Sequence, residues 1–223
     1  MADRPAPTST TAEKRNAAVI LGRLKKRYPE MGTALRYQDA WQLLVATVLS
    51  AQTTDENVNK VTPVLFARWP TAEDLGAADP EEVEGVVFST GFYRQKTAAI
   101  IALSADLAQR FAGVVPRDLE QLVTLHGVGR KTASVVIAEV WGLPAIAVDT
   151  HVRRVTNRLG ITQSSDPVKI ERELRALYPE REWSGISMRL IQFGRDLCIA
   201  KRPRCWECPL ADRCRYPAKA TGP

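Results

Sequence analysis

The stretch Leu125-His126-Gly127-Val128-Gly129-Arg130-Lys131-Thr132-Ala133, followed downstream by Val148-Asp149-Thr150-His151, decides how this chain is read. Glycine adopts positive φ without steric cost and lets main-chain N–H groups approach another surface, so Gly127 and Gly129 predict a tight turn. Behind them Ala133, Val136, Ile137, Val140 and Trp141 recur at i, i+3, i+4, i+7 and i+8, the pattern of a helix with one buried face, ended by Gly142 and Pro144. Pro116 to Leu125 predicts a short helix in front. Helix, glycine turn and helix make a helix-hairpin-helix, which holds a sugar-phosphate chain through backbone amides and positions nucleic acid without reading its sequence. Free N–H groups at the start of the second helix favour a phosphate.

Lys131 falls in the first turn of that second helix. With a reference pKa of about 10.4, roughly one amine in two to three thousand is unprotonated at pH 7. Nucleophilic use therefore needs desolvation or neighbouring positive charge, and Arg130 is the adjacent candidate. Asp149 closes the apolar run Ala145 to Val148 and precedes a helix carrying Val152, Val155 and Leu159 on one side. This predicts an N-cap, whose carboxylate accepts first-turn N–H groups. Such a carboxylate is also able to accept a proton or to stabilise a cation developing on a sugar.

All four cysteines lie in one segment, Cys198, Cys205, Cys208 and Cys214, with a tight C-x2-C pair. A chain of this size needs no local disulfide staples, and no N-terminal stretch reads as a signal peptide. The spacing suits a tetrahedral metal centre, either zinc or an iron-sulfur cluster. Lys201, Arg202 and Arg204 lie between the first two cysteines, so closing the loop gathers three positive charges into a knob suited to phosphate.

Composition points the same way. Lysine and arginine number 31 against 25 aspartates and glutamates, a net charge of +6, which suits a polyanionic partner. No apolar run reaches the roughly 18–20 residues of a membrane span, giving the expectation of a cytoplasmic protein with no membrane association, placed at the nucleoid if bacterial. Residues 1–12, rich in Ala, Pro, Thr and Ser, are expected to form a disordered tail. Helical periodicity recurs over Ala17–Tyr28, Trp41–Leu49, Glu56–Arg68, Pro80–Val87, Arg94–Phe111, Val152–Leu159, Val168–Tyr178 and Ile186–Cys198. No strand alternation is found, so the fold class is all-α.

Four separated motifs then carry a resemblance over residues 14 to 216: Leu49-Ser-Ala-Gln-Thr-Thr-Asp55, Leu125 to Ala133, Ala147 to His151, and the cysteine quartet. The chain resembles the endonuclease III family of helix-hairpin-helix DNA glycosylases and abasic-site lyases. The resemblance implies a two-lobed glycosylase fold: a six-helix barrel over residues 33–143 and an iron-sulfur lobe built from residues 13–32 and 144–223, with DNA across the groove. It implies a monomeric base excision repair enzyme that acts on duplex DNA containing oxidised pyrimidines or abasic sites. Lys131 matches the family's Schiff-base lysine and Asp149 its catalytic aspartate. The cysteines match the ligands of a [4Fe-4S] cluster.

Chemistry at C1′ requires the nucleotide to leave the stack, at a cost of a few kcal/mol. By resemblance the gap is filled from Gln52, Phe92 and His151, with the hairpin from Leu125 to Arg130 on the backbone. Two positions depart from the family pattern: Phe92 replaces an expected leucine, and His126 replaces a proline whose ring would pre-set the turn. His126 is therefore expected to loosen the hairpin while adding a potential phosphate contact. Alternatives are a mismatch-specific glycosylase of the same superfamily, disfavoured by Lys131, and a non-catalytic helix-hairpin-helix DNA-binding module.

Overall fold

The computed structural model describes residues 9–222. Among them no residue is in a β-strand, and the helices are α1 (Thr11–Arg27), α2 (Ala40–Leu49), α3 (Asp55–Arg68), α4 (Ala72–Gly76), α5 (Pro80–Val87), α6 (Tyr93–Phe111), α7 (Leu119–Leu122), α8 (Arg130–Trp141), α9 (Thr150–Leu159), α10 (Pro167–Leu177) and α11 (Trp183–Asp196). Threonine or aspartate caps most of their starts. Thr10, Asp39, Thr54, Thr71, Asp79, Asp118, Asp149 and Asp166 each accept a hydrogen bond from a first-turn N–H. None of these helices is long and apolar enough to cross a membrane.

The chain divides into two compact units. One is Thr33–Leu143; the other joins the described residues up to Gly32 to those from Pro144 onward.

In the Thr33–Leu143 unit α2 is the interior element. Trp41, Gln42, Leu43, Leu44, Val45, Ala46 and Leu49 are all buried, leaving it without a solvent face over most of its length. α3, α6 and α8 pack against it, and α4 and α5 pack on α6. Trp41 satisfies its indole N–H on Ser104 Oγ at 3.1 Å. Two elements differ from the sequence-based expectation. α4 is new, because five residues hold too little periodicity to register, although Thr71 caps it and Leu75 is buried. α7 covers only Leu119–Leu122, because Asp118 caps it and Val123 already closes it.

The second unit is built on α1, α9, α10 and α11. Ile20 and Leu24 meet Val152, Val155, Ile170, Leu174, Ile186, Leu190 and Phe193 in one core. α9 and α11 approach closely at Gly194, where a Cβ would come 2.8 Å from that of His151. The expected disordered tail over residues 1–12 does not hold at residues 11 and 12, which are helical. A capping box closes on Thr10, whose side chain accepts from the Glu13 N–H while Glu13 returns a bond to the Thr10 N–H, so α1 begins at Thr11. Residues 1–8 lie outside the described residues.

Candidate functional site

The hairpin uses its two glycines differently. Gly127 has φ +72°, and a Cβ there would approach Ala99 Cβ at 3.2 Å, so both backbone and packing ask for glycine. Gly129 has φ −83° and caps α8, and a Cβ built on it meets nothing within 4 Å. Among the described residues no atom crowds this position, so glycine as the N-cap leaves the start of α8 open. Leu125 and Val128 are buried at 3% and 5% and anchor the hairpin, while His126, Gly127 and Gly129 are exposed.

At His126 the missing proline ring, expected to loosen the turn, leaves a main-chain N–H that finds a partner. This N–H donates to Asp106 Oδ2 at 2.9 Å, a bond that proline could not make. A carboxylate from the neighbouring helix α6 thus fixes the turn from outside.

Lys131 is the second residue of α8 and is exposed. Among the described residues no hydrogen bond or ion pair is found for its amine. Arg130 is a weaker source of positive field than expected, since its Nη1 pairs with Glu120 Oε1 at 3.0 Å.

Asp149, in the other unit, caps α9. Its Oδ1 accepts from the N–H groups of His151 and Val152 at 2.8 and 2.9 Å, and its Oδ2 lies 3.2 Å from His151 Nδ1. With a side chain only 12% exposed, the carboxylate is held in one orientation. His151 is therefore engaged with its own helix start, through a ring that remains 29% exposed.

Gln52 and Phe92 share a property that sequence could not show. Both are non-glycine residues in the left-handed region, with φ +55° and +48°, and both are exposed. Such strain costs energy and persists where the surroundings impose it, often at functional positions. Asn57 imposes it here: its Nδ2 donates to Thr53 Oγ1 at 3.3 Å and to Ser89 O at 2.8 Å, tying the Gln52 turn to the turn that leads into Phe92. Lys96 adds a second tie, its buried amine donating to Thr90 O at 2.7 Å. Burial pulls the pKa of that amine down. Asn57, Lys96 and Asp106 belong to no motif that sequence analysis singled out.

The four cysteines line one small cavity, together with Arg158, Leu159, Phe193, Leu197, Pro203, Arg204 and Tyr216. None is in a disulfide. Among the described residues no three His, Cys, Asp or Glu side chains gather round a single-ion position. All four thiols border the same cavity, a donor set that suits sulfur-ligated iron. N–H donors point at the sulfurs: Arg158 Nη1 at 3.3 Å from Cys198 Sγ, Leu210 N at 3.4 Å from Cys208 Sγ, and Tyr216 N at 3.4 Å from Cys214 Sγ. Such donors stabilise sulfur-ligated iron. Burial raises the Cys198 thiol and pushes Cys208 up to about 11, so ligation there must displace a proton.

The basic knob is only partly available. Arg204 is engaged internally, its Nη2 donating to Asp196 Oδ1 at 2.6 Å and to Asp196 O at 2.9 Å while its Nη1 lies 3.4 Å from Glu207. These bonds tie the cysteine loop to α11. Lys201 and Arg202 remain exposed.

A helix-hairpin-helix with an exposed lysine behind it, on an all-α scaffold with a cysteine-ringed cavity, defines a class. The family of HhH-GPD superfamily base excision DNA repair proteins matches residues 45–180, and the iron-sulfur binding domain of endonuclease III matches residues 198–214. The chain is 48% identical to endonuclease III of Synechocystis sp. over 91% of its own length and 93% of that protein, and 45% identical to endonuclease III of Bacillus subtilis over 87% and 90%. A solved structure described as a trapped endonuclease III–DNA covalent intermediate superposes with a TM-score of 0.86 at 44% identity, covering 91% of this chain and 95% of that one. The chain belongs to the endonuclease III family, the DNA glycosylases and abasic-site lyases of base excision repair. Its cofactor is a [4Fe-4S] cluster.

Proposed function

We propose that Lys131 is the nucleophile and Asp149 the carboxylate of a bifunctional glycosylase and lyase acting on oxidised pyrimidines in duplex DNA. The observation that carries this reading is the exposed Lys131 amine directly behind an open glycine turn. The covalent protein–DNA intermediate described for the similar structure supports it. Asp149 assists deprotonation of the lysine amine, which then attacks C1′ of the extruded nucleotide. A C1′–N bond to lysine forms as the bond to the damaged base breaks, and the base departs with the electron pair. The adduct opens to a Schiff base, loss of a C2′ proton follows, and β-elimination expels the 3′ phosphate. Asp149, fixed by two N–H donors, also stabilises the cation developing on the sugar.

The main chain of Leu125 to Arg130 grips the backbone, with Gly129 at the closest approach. Gln52, Phe92 and His151 occupy the space vacated by the extruded nucleotide, and Lys201 and Arg202 contact phosphate. Cys198, Cys205, Cys208 and Cys214 hold the cluster, which supplies a structural centre for the loop they span. Residues 33–143 form the barrel domain, and residues 13–32 with 144–223 form the cluster domain. The enzyme works as a monomer in the cytoplasm, associated with the nucleoid if bacterial.

Duplex DNA carrying one thymine glycol, and separately one abasic site, is incubated with wild type and Lys131→Gln under borohydride. A lysine-dependent adduct on the thymine glycol duplex is expected. An adduct on the abasic duplex alone would preserve the lyase and remove the lesion assignment, pointing to another base such as a mismatch. Tight binding without any adduct would leave a non-catalytic DNA-binding module.

A further inference from the structure

A second basic concavity lies in the cluster-bearing unit and belongs to no motif. Arg153, Arg154, Asn157 and Arg158 of α9, Gln163 to Ser165 of the following loop, and Arg215 to Pro217 line an open groove of about 460 Å³. Four guanidinium groups line it and no carboxylate does.

The arginines divide into two kinds. Arg154 and Arg158 are immobilised on main-chain carbonyls: Arg154 donates to Cys198 O and Gly194 O, and Arg158 to Ile199 O and Ala200 O, all at 2.8–3.0 Å. Arg158 also lies 4.2 Å from the centre of the Tyr216 ring. Arg158 also donates to Cys198 Sγ, a cluster ligand, and Arg154 interacts with the same sulfur, so the uncommitted charge of the groove is that of Arg153 and Arg215. For Arg153 and Arg215 no acceptor is found among the described residues. The Arg215 stem rests over Gly160, at φ +70°, where a Cβ would collide with it. Two carboxylates act on the rim from a distance. Glu13 interacts with Arg215 through space but is bonded to Thr10, and Asp149 interacts with Arg154 but is bonded to the start of α9. Like charges gathered in this way repel unless an anion offsets them.

We propose that this groove is a second phosphate site, which takes backbone phosphates of the DNA strand a few nucleotides from the lesion. The geometry of α9 favours a polynucleotide source. Asp149 caps the helix, and Arg153 and Asn157 follow at intervals of four residues on one face, about 6 Å apart at 1.5 Å per residue. A strand advances about 3.4 Å per nucleotide along the duplex axis, so DNA engaged near Asp149 reaches the groove within a few steps. This rests on the reading of Asp149 as part of the active site. Serine and asparagine hydroxyl and amide groups complete a lining suited to phosphate oxygens and carry no means of reading bases.

The test is the salt dependence of binding by the cluster-loaded protein, comparing wild type with the Arg153→Gln/Arg215→Gln double variant. The probes are duplexes of about 25 and about 9 base pairs carrying a central uncleavable abasic analogue, with each phosphate contact contributing a slope of about 0.9 in log K against log salt. The double variant is expected to lose a slope of roughly 1–2 on the long duplex, no more than that on the short one, whose ends lie about four nucleotides from the lesion, and to retain the Lys131 adduct under borohydride on a separate duplex carrying a natural abasic site. Equal slopes for the two proteins on the long duplex would overturn the proposal. Arginine side-chain NMR shifts on titration with inorganic pyrophosphate, combined with equal slopes, would assign the groove to a small free anion instead. Failure of Lys131 to form an adduct in wild type would remove the catalytic reading while leaving the slope comparison intact.

Discussion

The main-chain N–H of His126 is the atom by which this hairpin replaces a proline ring. Proline would stiffen the turn through its own φ, worth about 0.4–1 kcal/mol, but would give Asp106 nothing to accept. Histidine gives up that stiffening and gains a hydrogen bond to a carboxylate, worth about 1.5–3 kcal/mol when desolvated and less on this exposed turn. His126→Pro should therefore change stability by under about 1 kcal/mol, because loss and gain oppose. Asp106→Ala should cost about 1 kcal/mol in the wild-type background and close to nothing in His126→Pro. Urea unfolding of the four proteins checks this, and equal costs in both backgrounds would show that the bond to His126 contributes nothing. Phe92 offers the opposite kind of test. At φ +48° and 60% exposed, it holds a left-handed backbone that disfavours any β-carbon by about 1–2 kcal/mol. Phe92→Gly should leave the protein as stable or up to about 1 kcal/mol more so, while lowering kcat/KM on a damaged duplex about tenfold or more. A glycine variant with unchanged kcat/KM would mean that the ring does not enter the stack.

At the scale of elements, α8 and α9 were legible because Val136, Ile137 and Val140, and Val152, Val155 and Leu159, repeat with the helical period behind recognisable starts at Gly129 and Asp149. The cysteine loop was legible by spacing. The devices that aim these elements were not, because each acts across tertiary distance: Asp106 reaches twenty residues ahead, Asn57 thirty-two, and Arg158 about forty. A lone Asn or Asp on a helix face looks the same in sequence whether it holds a turn or meets solvent. Asp196 at the end of α11 is a further example with a measurable consequence. It accepts from Tyr28 Oη at 2.8 Å and Arg27 at 3.1 Å at the end of α1, and from Arg204 in the cysteine loop. Burial would raise its pKa, but the bonds from Tyr28 and Arg27 and the charge of Arg204 outweigh burial and hold the carboxyl below its ordinary 3.8. The unfolded chain then binds the proton first as pH falls. The stabilisation from Asp196 is complete above pH 3.8 and disappears as pH drops through the lower folded value. Asp196→Asn should cost about 1–2 kcal/mol at pH 7 and progressively less below pH 3.8, read by urea unfolding at the two pH values. A cost that did not shrink in acid would place the effect in packing rather than charge.

On the scale of the whole molecule, the chain enters the cluster-bearing unit twice, and the cysteine loop fastens the two visits. Arg23 of α1 forms an ion pair with Asp212 and donates to Pro209 O at 2.8 Å, Leu210 is fully buried in the shared core, and the Arg215 N–H donates to Arg158 O of α9 at 2.8 Å. The loop has little regular structure of its own beyond a single turn at Cys205–Glu207, so its conformation depends on what closes it. Closure by sulfur ligation contributes folding free energy directly, since the unfolded chain has no site. The Thr33–Leu143 unit draws on a different core, centred on Leu43, Leu44, Ile100, Leu103 and Leu107, and contains no cysteine. Loss of the cluster should therefore act unevenly. In Cys205→Ser, hydrogen exchange in α1, α9 and α11 should accelerate tenfold or more, while the amides of α2 and α6 keep their protection to within about threefold. DNA affinity should fall with the first group, because Lys201 and Arg202 lose the loop that presents them. Uniform acceleration across all helices would show that the units unfold as one cooperative body, and unchanged exchange in α1 would show that its ties to the loop survive without the cluster.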